Sequence, residues 1–156
     1  MSSPDFGKEL VKARNSAFRL LKIRNRSERE IRDRLKQKKI SEDIIEQTIG
    51  YLKNIQLIDD RKFTKDWIAA RLTKPFGLRR IIFELKGKGI DNEIIKEELA
   101  CARQGYDEEG TVGILVKQCK EKFKETEQSK RRKKIFGYLA RRGFSLTTIE
   151  KATQNL

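Results

Sequence analysis

The side chains in this chain that could do chemistry are mostly cations. Lys130, Arg131, Arg132, Lys133 and Lys134 form an unbroken basic run, with Arg141 and Arg142 shortly after it. Lys74, Arg79, Arg80, Lys86 and Lys88 make a second group, and Arg29, Arg32, Arg34, Lys36, Lys38 and Lys39 a third. Such groups neutralise phosphates without reading bases, because Lys and Arg meet the nucleic-acid backbone and no base-reading motif accompanies them. The competing reading of any single cation is a solvated helix face, with positive charge favoured near helix C-termini. Recurrence in three places favours a basic track.

Asp59 and Asp60 offer a second chemistry, since adjacent carboxylates can hold a divalent metal that activates water. No third acidic ligand is well placed beside them, and the pair reads better as the start of a helix whose positive end it stabilises. The absence of histidine removes the usual general base and the Ser/His and Cys/His nucleophile pairs. Cys101 and Cys119 lack metal or redox spacing and are expected to be reduced, partly buried thiols. No glycine-rich run matches a nucleotide-binding loop. The expectation is therefore no enzyme, no catalytic residue, no metal and no cofactor. Trp67 could stack on a base, but its helical spacing with Phe63 and Ile68 assigns it to a core.

The elements that must position these cations follow from the apolar residues. Hydrophobic residues are 37% of the 156-residue chain and charged residues 38%, so the sparse apolar positions carry the fold information. Ile31, Leu35, Ile40, Ser41 and Ile45 are matched in order by Ile81, Leu85, Ile90, Asp91 and Ile95, then by Ile135, Leu139, Phe144, Ser145 and Ile149. The first pair of each set is spaced i, i+4, as on one helical face, and the Ser or Asp stands where a following helix needs an N-cap. Gly89 and Gly143 precede the apolar turn residue, where a left-handed C-cap would end the helix. Lys39 holds the corresponding place in the first set, which predicts a turn that is strained or differently shaped.

A further helical pattern lies upstream of each pair: Ala13, Ala17, Leu20 and Leu21; Phe63, Trp67, Ile68 and Leu72; Leu115, Cys119 and Phe123. Ser27 and Glu30 predict a capping box, and Pro75 breaks the chain between two helices. Residues 104–111, QGYDEEGT, read as the clearest boundary and the place of bending between units. The expected fold is all-α: three tandem three-helix repeats in an elongated stack that can curve. The expected divisions are an N-terminal extension at 1–12 and repeats at 13–54, 55–105 and 106–156.

Thirty-seven Lys and Arg against 23 Asp and Glu give a formal net charge of +14, which favours polyanionic partners. No segment approaches the roughly 18 consecutive apolar residues of a membrane span, nor is there an apolar signal region, so a cytoplasmic protein without a membrane partner is expected.

Two stretches carry a family resemblance. LIDDRKFTKDWIAARLTKPFGLRRIIFELKGKGID, from Leu57 to Asp91, resembles the middle repeat of RecX proteins, and YLARRGFSLTTI, from Tyr138 to Ile149, is similar to that family's closing motif. Gly77, Arg79, Arg80, Glu84, Leu85, Lys88, Gly89 and Ile90 match the first motif; Arg141, Arg142, Gly143, Phe144 and Ser145 match the second. Lys39 and Leu78 depart from it, where glycine and proline are expected.

The resemblance covers about residues 13–156 and implies three three-helix repeats. It also implies a non-enzymatic regulator that binds RecA filaments on single-stranded DNA and restrains recombinase, ATPase and coprotease activities in recombination, DNA repair and the SOS response; a monomer is expected. Single-stranded DNA is the first nucleic-acid partner and duplex DNA the second, both without sequence preference. Contact candidates are Arg32, Lys36, Lys74, Arg79, Arg80, Lys86, Lys88, Lys130, Arg131, Arg132, Lys133, Lys134, Arg141 and Arg142. Two rival readings are a plain DNA-binding protein without RecA contact and a metal-dependent nuclease using Asp59 and Asp60.

Overall fold

The structure is a computed structural model that describes residues 4–154 and 156. Among the described residues it contains nine helices and no strand: α1 (Pro4–Ile23), α2 (Glu28–Gln37), α3 (Glu42–Asn54), α4 (Asp60–Leu72), α5 (Leu78–Gly87), α6 (Asn92–Arg103), α7 (Glu108–Lys122), α8 (Gln128–Arg141) and α9 (Leu146–Thr153). The all-α repeat class expected from the spacing is the class observed. The expected extension at 1–12 lies partly outside the described residues, and its remainder is the first part of α1.

The chain separates into two compact units. The first runs from the chain start to Asp66 and takes in Lys86–Ile95; the second comprises Trp67–Leu85 and Lys96–Leu156. In the first unit α1, α2 and α3 pack on one another around Ala13, Ala17, Ile31, Leu35, Ile45 and Leu52, all fully buried. In the second, α7, α8 and α9 do the same around Val112, Ile135, Leu139 and Ile149. Thr153 holds an apolar position in α9 because its hydroxyl donates to the Ile149 carbonyl at 2.8 Å, which satisfies the buried oxygen. Cys119 is buried in this core and Cys101 is exposed.

Residues 104–111 run from the end of α6 into the first turn of α7. They lie inside the second unit, and most of them enter or cap α7: the Asp107 carboxylate accepts from the Gly110 N–H at 2.8 Å. Tyr106 anchors the remainder by donating its hydroxyl to the Phe76 carbonyl at 2.8 Å.

Helix starts follow the expected chemistry. The Ser27 hydroxyl accepts from the Glu30 N–H at 3.2 Å while the Glu30 carboxylate accepts from the Ser27 N–H at 3.1 Å, a reciprocal capping box. Ser145 accepts from the Thr148 N–H at 3.2 Å and Asp91 from the Glu93 N–H at 2.8 Å. Ser41 holds the N-cap position without a side-chain bond.

Each of the three short turns is left-handed at one residue: Gly89 at φ +74°, Gly143 at +84° and Lys39 at +59°. Lys39 thus makes the same kind of turn as the glycines and bears a steric strain that they avoid. Gln56, beyond the end of α3, is also left-handed at +58°, which no residue type there announces.

The glycine turns also dock on other helices. In the first unit the Ser27 hydroxyl donates to the Lys88 carbonyl at 2.7 Å, so the turn carrying Gly89 meets the start of α2. In the second, Gly77 N–H donates to the Arg142 carbonyl at 2.9 Å and Arg79 N–H to the Gly143 carbonyl at 3.1 Å, so the turn carrying Gly143 supplies acceptors for orphan donors at the start of α5.

Candidate nucleic-acid interface

The positive end of a helix dipole repels cations, yet two helices concentrate cations there. Arg79 and Arg80 occupy the first turn of α5, and Lys130 and Arg131 that of α8; neither turn holds an acid. Helices α1 to α4, α6 and α7 each have an acidic first turn. Each misplaced cation costs roughly 0.3–1 kcal/mol at an exposed terminus. Dipole complementarity therefore does not account for these positions.

Burial and pairing sort the candidate cations. Lys74, Arg79, Lys86, Arg132, Lys133 and Arg141 are exposed and make no ion pair among the described residues. Arg132 and Lys133 flank Phe136 at the rim of an open cavity of about 710 Å³. Lys36 pairs with Glu42 at 3.1 Å and Lys130 with Glu127 at 3.2 Å, both at the surface where such pairs are weak and exchangeable. Lys134 lies 5.4 Å from the Phe123 ring.

Five candidates are paired within the fold or partly buried in it. Arg32 bonds to Glu28 at 3.0 Å, to Glu42 at 3.2 Å and to Glu46, and the Glu46 bond is foremost in pushing its pKa up. Lys88 pairs with Glu30 at 2.9 Å. Arg131 is half-buried, with its Nε enclosed and unbonded. Arg80 and Arg142 belong to a cluster around Phe76, missed because its members come from separate helices and turns.

In that cluster the guanidinium of Arg80 lies 4.1 Å from the Phe76 ring and that of Arg142 5.6 Å, with Arg71 at 6.0 Å. Glu84 accepts from Arg71 at 2.6 Å, Trp67 Nε1 at 3.0 Å and Arg80 at 3.1 Å. Burial opposes ionisation of Glu84, but the bonds from Arg80, Arg71 and Trp67 outweigh it and hold the carboxyl below its ordinary range. Arg142 also donates to the Pro75 carbonyl at 3.1 Å and lies 4.7 Å from the Tyr138 ring. Trp67 is half-buried in this polar cluster rather than in the apolar core expected for it.

The acidic pair divides its work. Asp59 caps α4, accepting from the Arg61 N–H at 2.9 Å and the Lys62 N–H at 3.0 Å. Asp60 instead accepts from the Glu28 N–H at 2.8 Å and so caps α2. The start of α2 also receives Glu30, whose carboxylate meets Arg24 at 2.8 Å and Lys88 at 2.9 Å.

Burial works against the Glu30 charge, but the bonds from Arg24, Lys88 and the Ser27 N–H prevail and lower its pKa from 4.5 to about 2. A depressed carboxyl stabilises the fold above its unfolded pKa and loses that contribution as pH falls through its folded one. Stability in urea should accordingly decline between about pH 5 and pH 2. Glu30→Gln should lower stability at pH 7 by roughly 1.5–3 kcal/mol and flatten that decline. Asp60 acts with the opposite sign, since burial raises its pKa and its ionisation opposes folding. An acid profile unchanged by Glu30→Gln would show that these bonds do not stabilise the charge.

Residues 13–52 match the family model described as RecX, first three-helix domain, and residues 59–99 the one described as RecX, second three-helix domain. The chain is 35% identical over 147 residues to the regulatory protein RecX of Prosthecochloris aestuarii, covering 93% of each. It is 33% identical over 147 residues to that of Chlorobium phaeobacteroides, again covering 93% of each. The crystal structure of RecX from Lactobacillus salivarius superposes with a TM-score of 0.79 at 25% identity, covering 96% of this chain and 97% of that one.

Proposed function

This chain belongs to the RecX family of regulatory proteins, and from that membership we propose that it binds the RecA filament on single-stranded DNA and restrains the recombinase's ATPase, strand-exchange and coprotease activities. The observation that supports the DNA part is the set of exposed cations without an ion pair among the described residues, Arg79 at the positive end of α5 with Lys86, Arg132, Lys133 and Arg141. These side chains hold phosphates irrespective of sequence, while neighbouring surface meets recombinase subunits.

The mechanism is occupancy rather than chemistry. A bound wedge favours a filament state that cannot extend or exchange strands, and no nucleophile, general base or cofactor takes part. The protein acts as a monomer in the cytoplasm, and among the described residues no helix is long and apolar enough to cross a membrane.

The net charge of +14 favours a second reading, a sequence-independent DNA-binding protein that never touches RecA. Titration into RecA turning over ATP on single-stranded DNA tests the first reading. Hydrolysis should fall in a saturable manner, and the protein should associate with RecA without DNA. Unaltered hydrolysis on DNA that the protein demonstrably binds would leave the plain DNA-binding reading in its place.

A further inference from the structure

Lys39 adopts at φ +59° the left-handed conformation that the other two short turns give to Gly89 and Gly143. A side chain bears strain there that glycine does not, and backbone strain of this kind concentrates where the side chain is used. Lys39 lines an open cavity of about 410 Å³ between α1 and the α2–α3 turn, within the first unit. Lys12, Ser16, Arg19 and Lys38 line it too, and Glu9 is the one acid of the lining. Lys12, Ser16 and Arg19 follow i, i+4, i+7 spacing and share one face of α1. Lys38 donates from its ammonium to the Ser16 hydroxyl at 2.7 Å, fastening the turn to the helix. Lys12, Arg19 and Lys39 are exposed and make no ion pair among the described residues.

We propose that this cavity is a phosphate-binding site for the backbone of single-stranded DNA, separate from the cations of α5 and α8. Four cations against one carboxylate give the lining a net positive charge, carried on long exposed side chains. That arrangement suits a polyanion passing across it, with Lys12, Arg19 and Lys39 each releasing a counterion when a phosphate arrives. The inference rests on the reading that this protein touches DNA, and it adds the α1 face and Lys39, which the candidate cations above do not include.

Lys39→Gly separates structure from binding, because losing the strain raises stability while losing the charge lowers affinity. Its Tm should rise by about 2–4 °C. Its affinity for a fluorescent oligothymidylate should fall roughly 5-fold at 0.1 M salt, with the log–log salt slope shallower by about 0.7. Lys12→Gln, Arg19→Gln and Lys39→Gly combined should lose roughly 10²-fold and about 2 in slope. Parental affinity and slope in the folded triple variant would overturn the site. Protection of the parent by inorganic pyrophosphate at matched ionic strength, with DNA affinity untouched by the variants, would make it a small-anion pocket and also overturn the proposal. A parent that restrains RecA hydrolysis without binding free DNA would remove this site and leave the RecA reading standing. DNA binding that depends on the cavity, without any effect on RecA, would do the reverse.

Discussion

Gly143→Ala should destabilise the second unit by about 2–5 kcal/mol, from roughly 1–2 for an alanine in the left-handed region and roughly 1–3 for overpacking. Gly143 stands at φ +84°, and a Cβ there would lie 2.3 Å from the backbone nitrogen of Arg80 and 2.5 Å from its Cβ. The facing residue has no slack either, since a Cβ on Gly77 would lie 2.1 Å from the Gly143 carbonyl oxygen. The two segments touch backbone to backbone because neither carries a side chain, and that approach brings the 142 and 143 carbonyls to the N–H groups of Gly77 and Arg79. Separating them would cost those bonds as well. Urea unfolding of the variant measures the loss. Gly137→Ala is the control: it lies within α8, where its Cβ would meet only the Arg141 guanidinium, at 3.2 Å, and it should be neutral or stabilising by up to about 1 kcal/mol. If Gly143→Ala unfolded with the parent, the docking of this turn on α5 would be wrong.

Reversing Arg79, Arg132, Lys133 and Arg141 to Glu together should weaken binding to single-stranded DNA at 0.1 M salt by roughly 10²–10³-fold or more, on the basis of up to four phosphate contacts. The salt slope should become shallower by roughly 3. All four side chains are exposed and make no ion pair among the described residues, so helicity and Tm should stay close to the parent's. Restraint of RecA hydrolysis should weaken in parallel. Arg80 and Arg142 are left out because they brace the fold. Arg80→Glu would set a carboxylate against Glu84 and remove the guanidinium from the Phe76 ring, so its loss of binding could not be separated from loss of folding. Unchanged affinity, slope and inhibition in the quadruple variant would place the contact surface elsewhere and leave these cations as solvated surface.

What the sequence by itself determined is whatever depends on neighbours along the chain. Ile31 with Leu35, Ile81 with Leu85 and Ile135 with Leu139 are spaced one helical turn apart, and all six are fully buried. Ser27 and Glu30 lie close enough to cap each other, and glycine at 89 and 143 announces left-handed turns, because capping and φ are local properties. The family motifs were legible for the same reason. The tertiary structure alone decided which charges remain available. Arg32 reads like any basic helix residue until the α2–α3 turn brings Glu42 and Glu46 to it. Arg142 lies 67 residues from the Pro75 carbonyl it binds, and Asp60 caps a helix that begins 32 residues earlier. Those pairings follow from how helices register against one another, which is set by the packing of many side chains at once. Residue type and spacing could therefore place the candidate cations on helices, while only the packed fold separated those that hold the protein together from those left exposed.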